Sequence, residues 1–172
     1  AFRFDPIDLN ILKDAGFDIV SIANNHSFDM GNRGFDENKQ NLDKFGIAYA
    51  GDPREVSESS YKEFERSGYK IAFAAFNDTD FKLDYLKAFD LIKTLKSRND
   101  FVIVSIHWGN EYTNMPSELQ KENARGFVNA GADAIIGHHP HVLHGMEYIN
   151  GKPVFYSLGN FVFDQMFSKE TQ

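Results

Sequence analysis

The sequence predicts an α/β fold, and three observations carry that expectation. Short apolar runs alternate with amphipathic segments of helical period, the pattern of strands separated by helices. Three of the runs stop at a polar segment bearing histidine: Asn24-Asn25-His26-Ser27, His107-Trp108-Gly109 and Gly137-His138-His139. Near the end, two strand-like segments, 145–149 and 152–157, flank Asn150-Gly151, a dipeptide suited to the two positive-φ positions of a type I′ hairpin. The expected result is a largely parallel sheet with an antiparallel hairpin at its end.

Each element has a local reason. Asp5-Pro6 reads as an N-cap followed by Pro at the first helical position, with Ile7, Ile11, Leu12 and Ala15 as the buried stripe and Gly16 as the stop. Residues 17–23 form an apolar strand expected to be buried on both faces. A helix over 34–45 turns Phe35, Leu42 and Phe45 inward and closes at Gly46, and a short strand over 47–50 ends at Gly51-Asp52-Pro53. Residues 54–66 are charged and Ser-rich and read as a surface connection. A strand over 69–76, a helix over 84–96 and a strand over 101–106 follow. Ser117 and Gln120 have capping-box spacing, opening a helix to about Ala130, and a short strand covers 132–136.

Composition bounds the function. The 172 residues suit one domain, and 17 Phe with 7 Tyr supply a core. Lys plus Arg total 18 against 25 Asp plus Glu, a net charge of −7. The basic residues are scattered, which argues against nucleic acid as a partner; an anionic ligand calls for a bound cation. Cysteine is absent, which excludes disulfides, thiolate metal sites and thiol nucleophiles. No run approaches the ~20 apolar residues of a membrane span.

The chemistry concentrates at the histidines. Ligands of open α/β sheets sit at the carboxyl ends of strands, so parallel strands would bring the three loops to one patch. Four of six histidines lie within residues 138–144. His139 and His141 form an H-x-H pair whose rings, on extended backbone, project to one side. Two imidazoles can then reach one divalent ion at about 2.0–2.1 Å, and imidazole with oxygen donors suits zinc, manganese or iron. His138 points the other way on this reading, and His144 lies further off. His107 ends the most apolar strand as a third ligand, with Trp108 and Glu111 expected to line the pocket. Asn24 or Asn25 can supply an amide oxygen, His26 can protonate a leaving oxygen, and Asp29 can accept from its imidazole.

Four stretches, in order along nearly the whole chain, resemble the capsule-biosynthesis CapA family: Ile22-Ala23-Asn24-Asn25-His26-Ser27-Phe28-Asp29-Met30-Gly31, Ser105–Tyr112, Gly131–Leu143 and Tyr156–Phe163. The resemblance implies a poly-γ-glutamate synthesis accessory protein with a calcineurin-like metallophosphoesterase fold, a layered αββα sandwich. It implies Asn25, His107, His139 and His141 as metal ligands, His26 as the group that contacts a phosphoryl oxygen or acts as acid, and Asn160 near the site. The superfamily's opening Asp-x-His strand end and bridging Asp have no counterpart here, so a single N-terminally truncated domain with partial or absent occupancy by Mn, Zn or Fe is the expectation. The acidic residue that follows the His of the superfamily motif is replaced by Ser27, leaving Asp29 to serve. The family also implies an extracytoplasmic, membrane-anchored full-length protein working with other capsule-synthesis membrane proteins. A raw sheet edge left by the absent strand would favour self-association. Two functions compete: capsule synthesis or export on poly-γ-glutamate, and hydrolysis of a phosphate ester. Incidental histidines would need three such strand ends to arise separately.

Overall fold

A computed structural model describes residues 2–161, 163 and 171. After a 3-10 turn at Pro6–Asp8 the elements run α1 (Leu9–Asp14), β1 (Ile19–Ser21), α2 (Gly31–Phe45), β2 (Ala48–Ala50), β3 (Tyr61–Arg66), β4 (Tyr69–Asp78), α3 (Tyr85–Lys96), β5 (Phe101–Trp108), α4 (Glu118–Ala130), β6 (Ala134–His138), β7 (Met146–Ile149) and β8 (Lys152–Phe155). Strands β4, β5, β6 and β8 are parallel, with β3 and β7 as antiparallel edges, in the order β3-β4-β5-β6-β8-β7. Strands β1 and β2 form a separate parallel pair, Val20 opposite Tyr49.

The two-residue period of the strands divides the chain between two layers. Ala72, Ala74 and Phe76 of β4, Val102, Val104, Ile106 and Trp108 of β5, Ile135 of β6 and Val154 of β8 face Ala88, Ile92 and Leu95 of α3 and Ala124, Phe127 and Val128 of α4. Phe76 stacks on Phe127 at 5.6 Å between ring centroids. Burying each large side chain here contributes about 2 kcal/mol. On the other face, Phe73 and Ala75 meet Ala23 and Ala50, so the β1–β2 pair lies over the large sheet. Phe35 and Leu42 of α2 pack with Ile22 and Ile47 on the outer side of that pair. Helices, sheet, sheet and helix give the expected αββα layering.

Gly137 shows how tightly the carboxyl end of the sheet is built. The Trp108 indole N–H donates to the carbonyl of Tyr156 at 3.0 Å, and a β-carbon on Gly137 would stand 2.1 Å from that oxygen and 2.6 Å from the indole nitrogen. Only glycine leaves room for this link between β5, β6 and the segment after β8.

Several expectations are corrected. Ile7 and Ile11 are 59% and 66% exposed and Ala15 is exposed. The α-helix begins only at Leu9, and its Leu9 and Leu12, one turn apart and half-buried, pack against the cluster of Ile22, Phe35, Leu42 and Ile47. Strand 17–23 shrinks to Ile19–Ser21 and is half-buried, because β2 is its one strand neighbour among the described residues. The supposed surface connection 54–66 contains β3, joined to β4 through Ser67 (φ 53°) and Gly68 (φ 81°). An edge strand facing water tolerates charge on both sides, which hid its period. The strands at 101 and 134 run on to Trp108 and His138, so those residues close strands rather than open loops. The other signals match: Asp84 caps α3, Ser117 and Gln120 form the capping box of α4, and Asn150 and Gly151 take φ of 50° and 78° between β7 and β8.

Candidate metal centre

Parallel register places Asn77, His107 and His138 side by side at the carboxyl end of β4, β5 and β6. They lie on the face turned away from α3 and α4. His138 therefore shares a face with His107, against the expectation that it points away. Trp108, one residue further, falls on the helix face and is fully buried. It braces the sheet and does not line the site.

The 24–29 loop descends onto this face. Asn24 Oδ1 accepts the His26 amide at 2.8 Å, so Asn24 serves the turn itself. The Ser27 hydroxyl donates to the Ile22 carbonyl, fastening the loop to the strand it leaves. This presents Asn25, whose Oδ1 lies 2.9 Å from His107 Nε2, between residues 82 apart in sequence. His26 Nδ1 lies 3.0 Å from Asp29 Oδ2, and its side chain is 40% exposed. The Phe2 amide, at 2.8 Å, and the His26 ring hold the Asp29 carboxyl below the usual carboxylate range. Ionised, Asp29 can only accept, which puts the imidazole proton on Nδ1 and leaves Nε2 for a ligand.

The 139–141 turn supplies the opposite wall. His139 and His141 have φ of 101° and 62°. Their rings, 6.2 Å apart, are thus aimed by left-handed backbone and not by the strand alternation expected of an H-x-H pair. Residues held in that region are strained and persist only where surroundings enforce them. The His107 and His139 rings are 4.8 Å apart. His141 Nδ1 donates to Asn160 Oδ1 at 2.7 Å, and the Asn160 amide is oriented by its own bond to the Thr171 carbonyl at 2.9 Å. Glu111 Oε1 stands 4.0 Å from His141 Nε2, and ligand atoms of Glu111, His139 and His141 lie within 4.8 Å of one another. His144 is elsewhere: its Nε2 donates to the Thr113 carbonyl and pins the 110–115 loop.

Burial favours the neutral form of three of these imidazoles, His107, His138 and His139. Burial first, and then the facing His139, His138, His141 and His26, push His107 down to about 2. Burial alone lowers His138. Burial lowers His139, with Glu111 and Asp80 pulling the other way. Sequence reasoning missed three neighbours: Asp80, which acts on His139 from the loop after β4; Tyr112, stacked on His141 at 5.7 Å; and Phe2, edge-on to His26 at 4.5 Å. Tyr112 lay inside a matching motif; no pattern marked Asp80 or Phe2.

The donors fit a divalent cation. Asn25 Oδ1 accepts a hydrogen bond from His107 Nε2 at 2.9 Å, and an ion that displaced this proton would find the two atoms about 3 Å apart, the spacing of two donors at right angles and each about 2.1 Å from it. His139 Nδ1 is buried with no hydrogen-bond partner among the described residues, an arrangement that costs free energy unless something binds there. A cation at such a centre polarises an anionic oxygen.

Known proteins resemble this chain in sequence and in fold. The profile of a family described as "Bacterial capsule synthesis protein PGA_cap" matches residues 1–165. The chain is 38% identical over 177 residues to the PGA biosynthesis protein CapA of Bacillus subtilis (91% of this chain, 45% of that protein). It is 36% identical over 174 residues to the capsule biosynthesis protein CapA of Bacillus anthracis (90% and 42%). It thus spans less than half the length of either. Among solved structures, a Haemophilus influenzae NAD nucleotidase superposes with TM-score 0.58 at 20% identity (87% of this chain, 35% of that one). A Mycoplasma pneumoniae phosphatase superposes with 0.55 at 14% (90% and 65%). These are metallophosphoesterase-like folds, as the layering indicates. On the extent and order of the sequence match, the chain belongs to the bacterial capsule synthesis protein PGA_cap family.

Proposed function

We propose that this chain serves capsule synthesis by engaging poly-γ-glutamate through a divalent cation held by Asn25, His107, His139 and His141. The observation that carries it is the 2.9 Å approach of Asn25 to His107 across 82 residues of sequence, beside His139. With a net charge of −7, the chain repels a polycarboxylate at long range unless a local cation reverses the sign at the site. The relatives' role in capsule biosynthesis supports the process. The full-length protein is proposed to work outside the cytoplasm, anchored near the membrane proteins of capsule synthesis; among the described residues no helix is long and apolar enough to cross a membrane.

A second reading, hydrolysis of a phosphate ester, is favoured by the His26–Asp29 pair. With its Nδ1–H held by Asp29, the partly exposed ring donates to or protonates an ester oxygen beside Asn25 and His107 when it is an imidazolium carrying a second proton on Nε2. Calorimetric titration with Mn²⁺ and Zn²⁺ tests the centre: the intact chain releases binding heat, and the His139→Ala, His141→Ala double variant does not. Equal heats from both proteins would remove the cation reading. Phosphate-ester turnover with Mn²⁺ that disappears in His26→Ala selects the hydrolase; cation-dependent retention of γ-glutamate oligomers without turnover selects the capsule role.

A further inference from the structure

We infer that Glu111 is itself a ligand of this cation, closing a Glu111–His139–His141 set supplied by this chain alone. The inference rests on the cation reading above and goes beyond it in naming a carboxylate donor. His141 Nδ1 carries a proton, because Asn160 Oδ1 can only accept, so in the neutral ring the atom that presents a lone pair is Nε2. Facing that lone pair at 4.0 Å is a carboxylate oxygen of Glu111. Two acceptors opposed at this distance, too far for a hydrogen bond, repel one another unless positive charge lies between them. A divalent ion provides it, and its bonds of about 2.1 Å to nitrogen and oxygen suit a gap of this size.

The backbone is arranged to hold the pair. Tyr112 adopts φ 60° and donates its amide to the Pro140 carbonyl at 2.9 Å. The turn that carries Glu111 is thus tied to the residue between the two histidines. Tyr112 also stacks on His141, fixing the ring that Glu111 faces. Two imidazoles with one carboxylate and no thiolate favour Mn²⁺, Fe²⁺ or Zn²⁺ over Ca²⁺ and Mg²⁺, which prefer oxygen donors throughout.

The test is Mn²⁺ binding to the 172-residue chain, read by the loss of the free Mn²⁺ electron paramagnetic resonance signal and by calorimetry. Glu111→Gln keeps the side chain's shape and is 10-fold or more weaker than the unaltered chain. Glu111→Asp, which keeps the charge and withdraws the oxygen, is also weaker. The fold of each variant is checked by its thermal midpoint, which stays unchanged because Glu111 is exposed. Undiminished affinity in Glu111→Gln, with binding lost in the His139→Ala, His141→Ala double variant, overturns the assignment of Glu111 and leaves the cation centre standing. The same holds if Glu111→Asp binds like the unaltered chain, since a distant charge would then suffice. Absence of binding by the unaltered chain overturns both.

Discussion

At the scale of single residues, the site is organised as much by what orients the imidazoles as by the imidazoles. Asn160 uses one end of its amide on His141 and the other on a backbone carbonyl, so its side chain cannot rotate without breaking one of them. Partners of this kind fix the tautomer of a metal-binding histidine and typically account for 10- to 100-fold in affinity. Asn160→Ala should accordingly weaken Mn²⁺ binding about 10-fold, while Asn160→Asp, which keeps the acceptor, retains most of it. Unchanged Mn²⁺ affinity in the alanine variant would show that His141 keeps its orientation unaided. Asn24 illustrates the opposite case, in which a residue of ligand type is spent on a turn.

At the scale of elements, the strands deliver functional residues through register. Because His107 and His138 are paired across β5 and β6 while Trp108 turns to the helices, one residue of slip would exchange site and core. Gly137 guards that register. Gly137→Ala places a methyl group into the Trp108–Tyr156 hydrogen bond and should cost roughly 3 kcal/mol, from overpacking plus a buried indole left unpaired; a urea midpoint equal to that of the unaltered chain would refute it. The sequence revealed most of this level. Helix α4 was readable from its cap, the β7–β8 turn from Asn150-Gly151, and β5 from its apolar run. What escaped has a physical cause in each case. Strand β3 is an edge whose charged faces carry no period, and α1 buries no residue fully, with Leu9 and Leu12 half-buried against the cluster around Phe35. The convergence of the loops was legible as a common property of parallel strand ends. The aiming of His139 and His141 was not, because positive φ at histidine comes from tertiary constraint and leaves no local signature.

At the scale of the whole molecule, one carboxylate joins parts of the core distant from the site. Asp133 accepts from Lys96 at the end of α3 (2.9 Å), from Lys152 of β8 (2.7 Å) and from the Val102 amide of β5 (2.8 Å), and its side chain is 10% exposed. Burial pulls its pKa upward, but the hydrogen bonds from Lys152, Lys96 and Val102 outweigh burial and hold it below the usual carboxylate range. A carboxyl whose folded pKa lies under its unfolded value of about 3.9 stabilises the fold fully above that value and loses the contribution as pH falls through the folded pKa. Asp133→Asn, which keeps an acceptor for Val102 but removes the charge facing two lysines, should therefore cost about 2 kcal/mol at pH 7. The gap between the two proteins should begin to narrow below about pH 4, where the unfolded chain takes up the proton, and close as the pH falls through the lower folded pKa, where the unaltered chain protonates its own clamp. Urea unfolding of both proteins at pH 7 and pH 3 measures this directly. Coincident midpoints at pH 7, or a gap that stays the same at pH 3, would mean that the three elements are held by the apolar core without help from this charge.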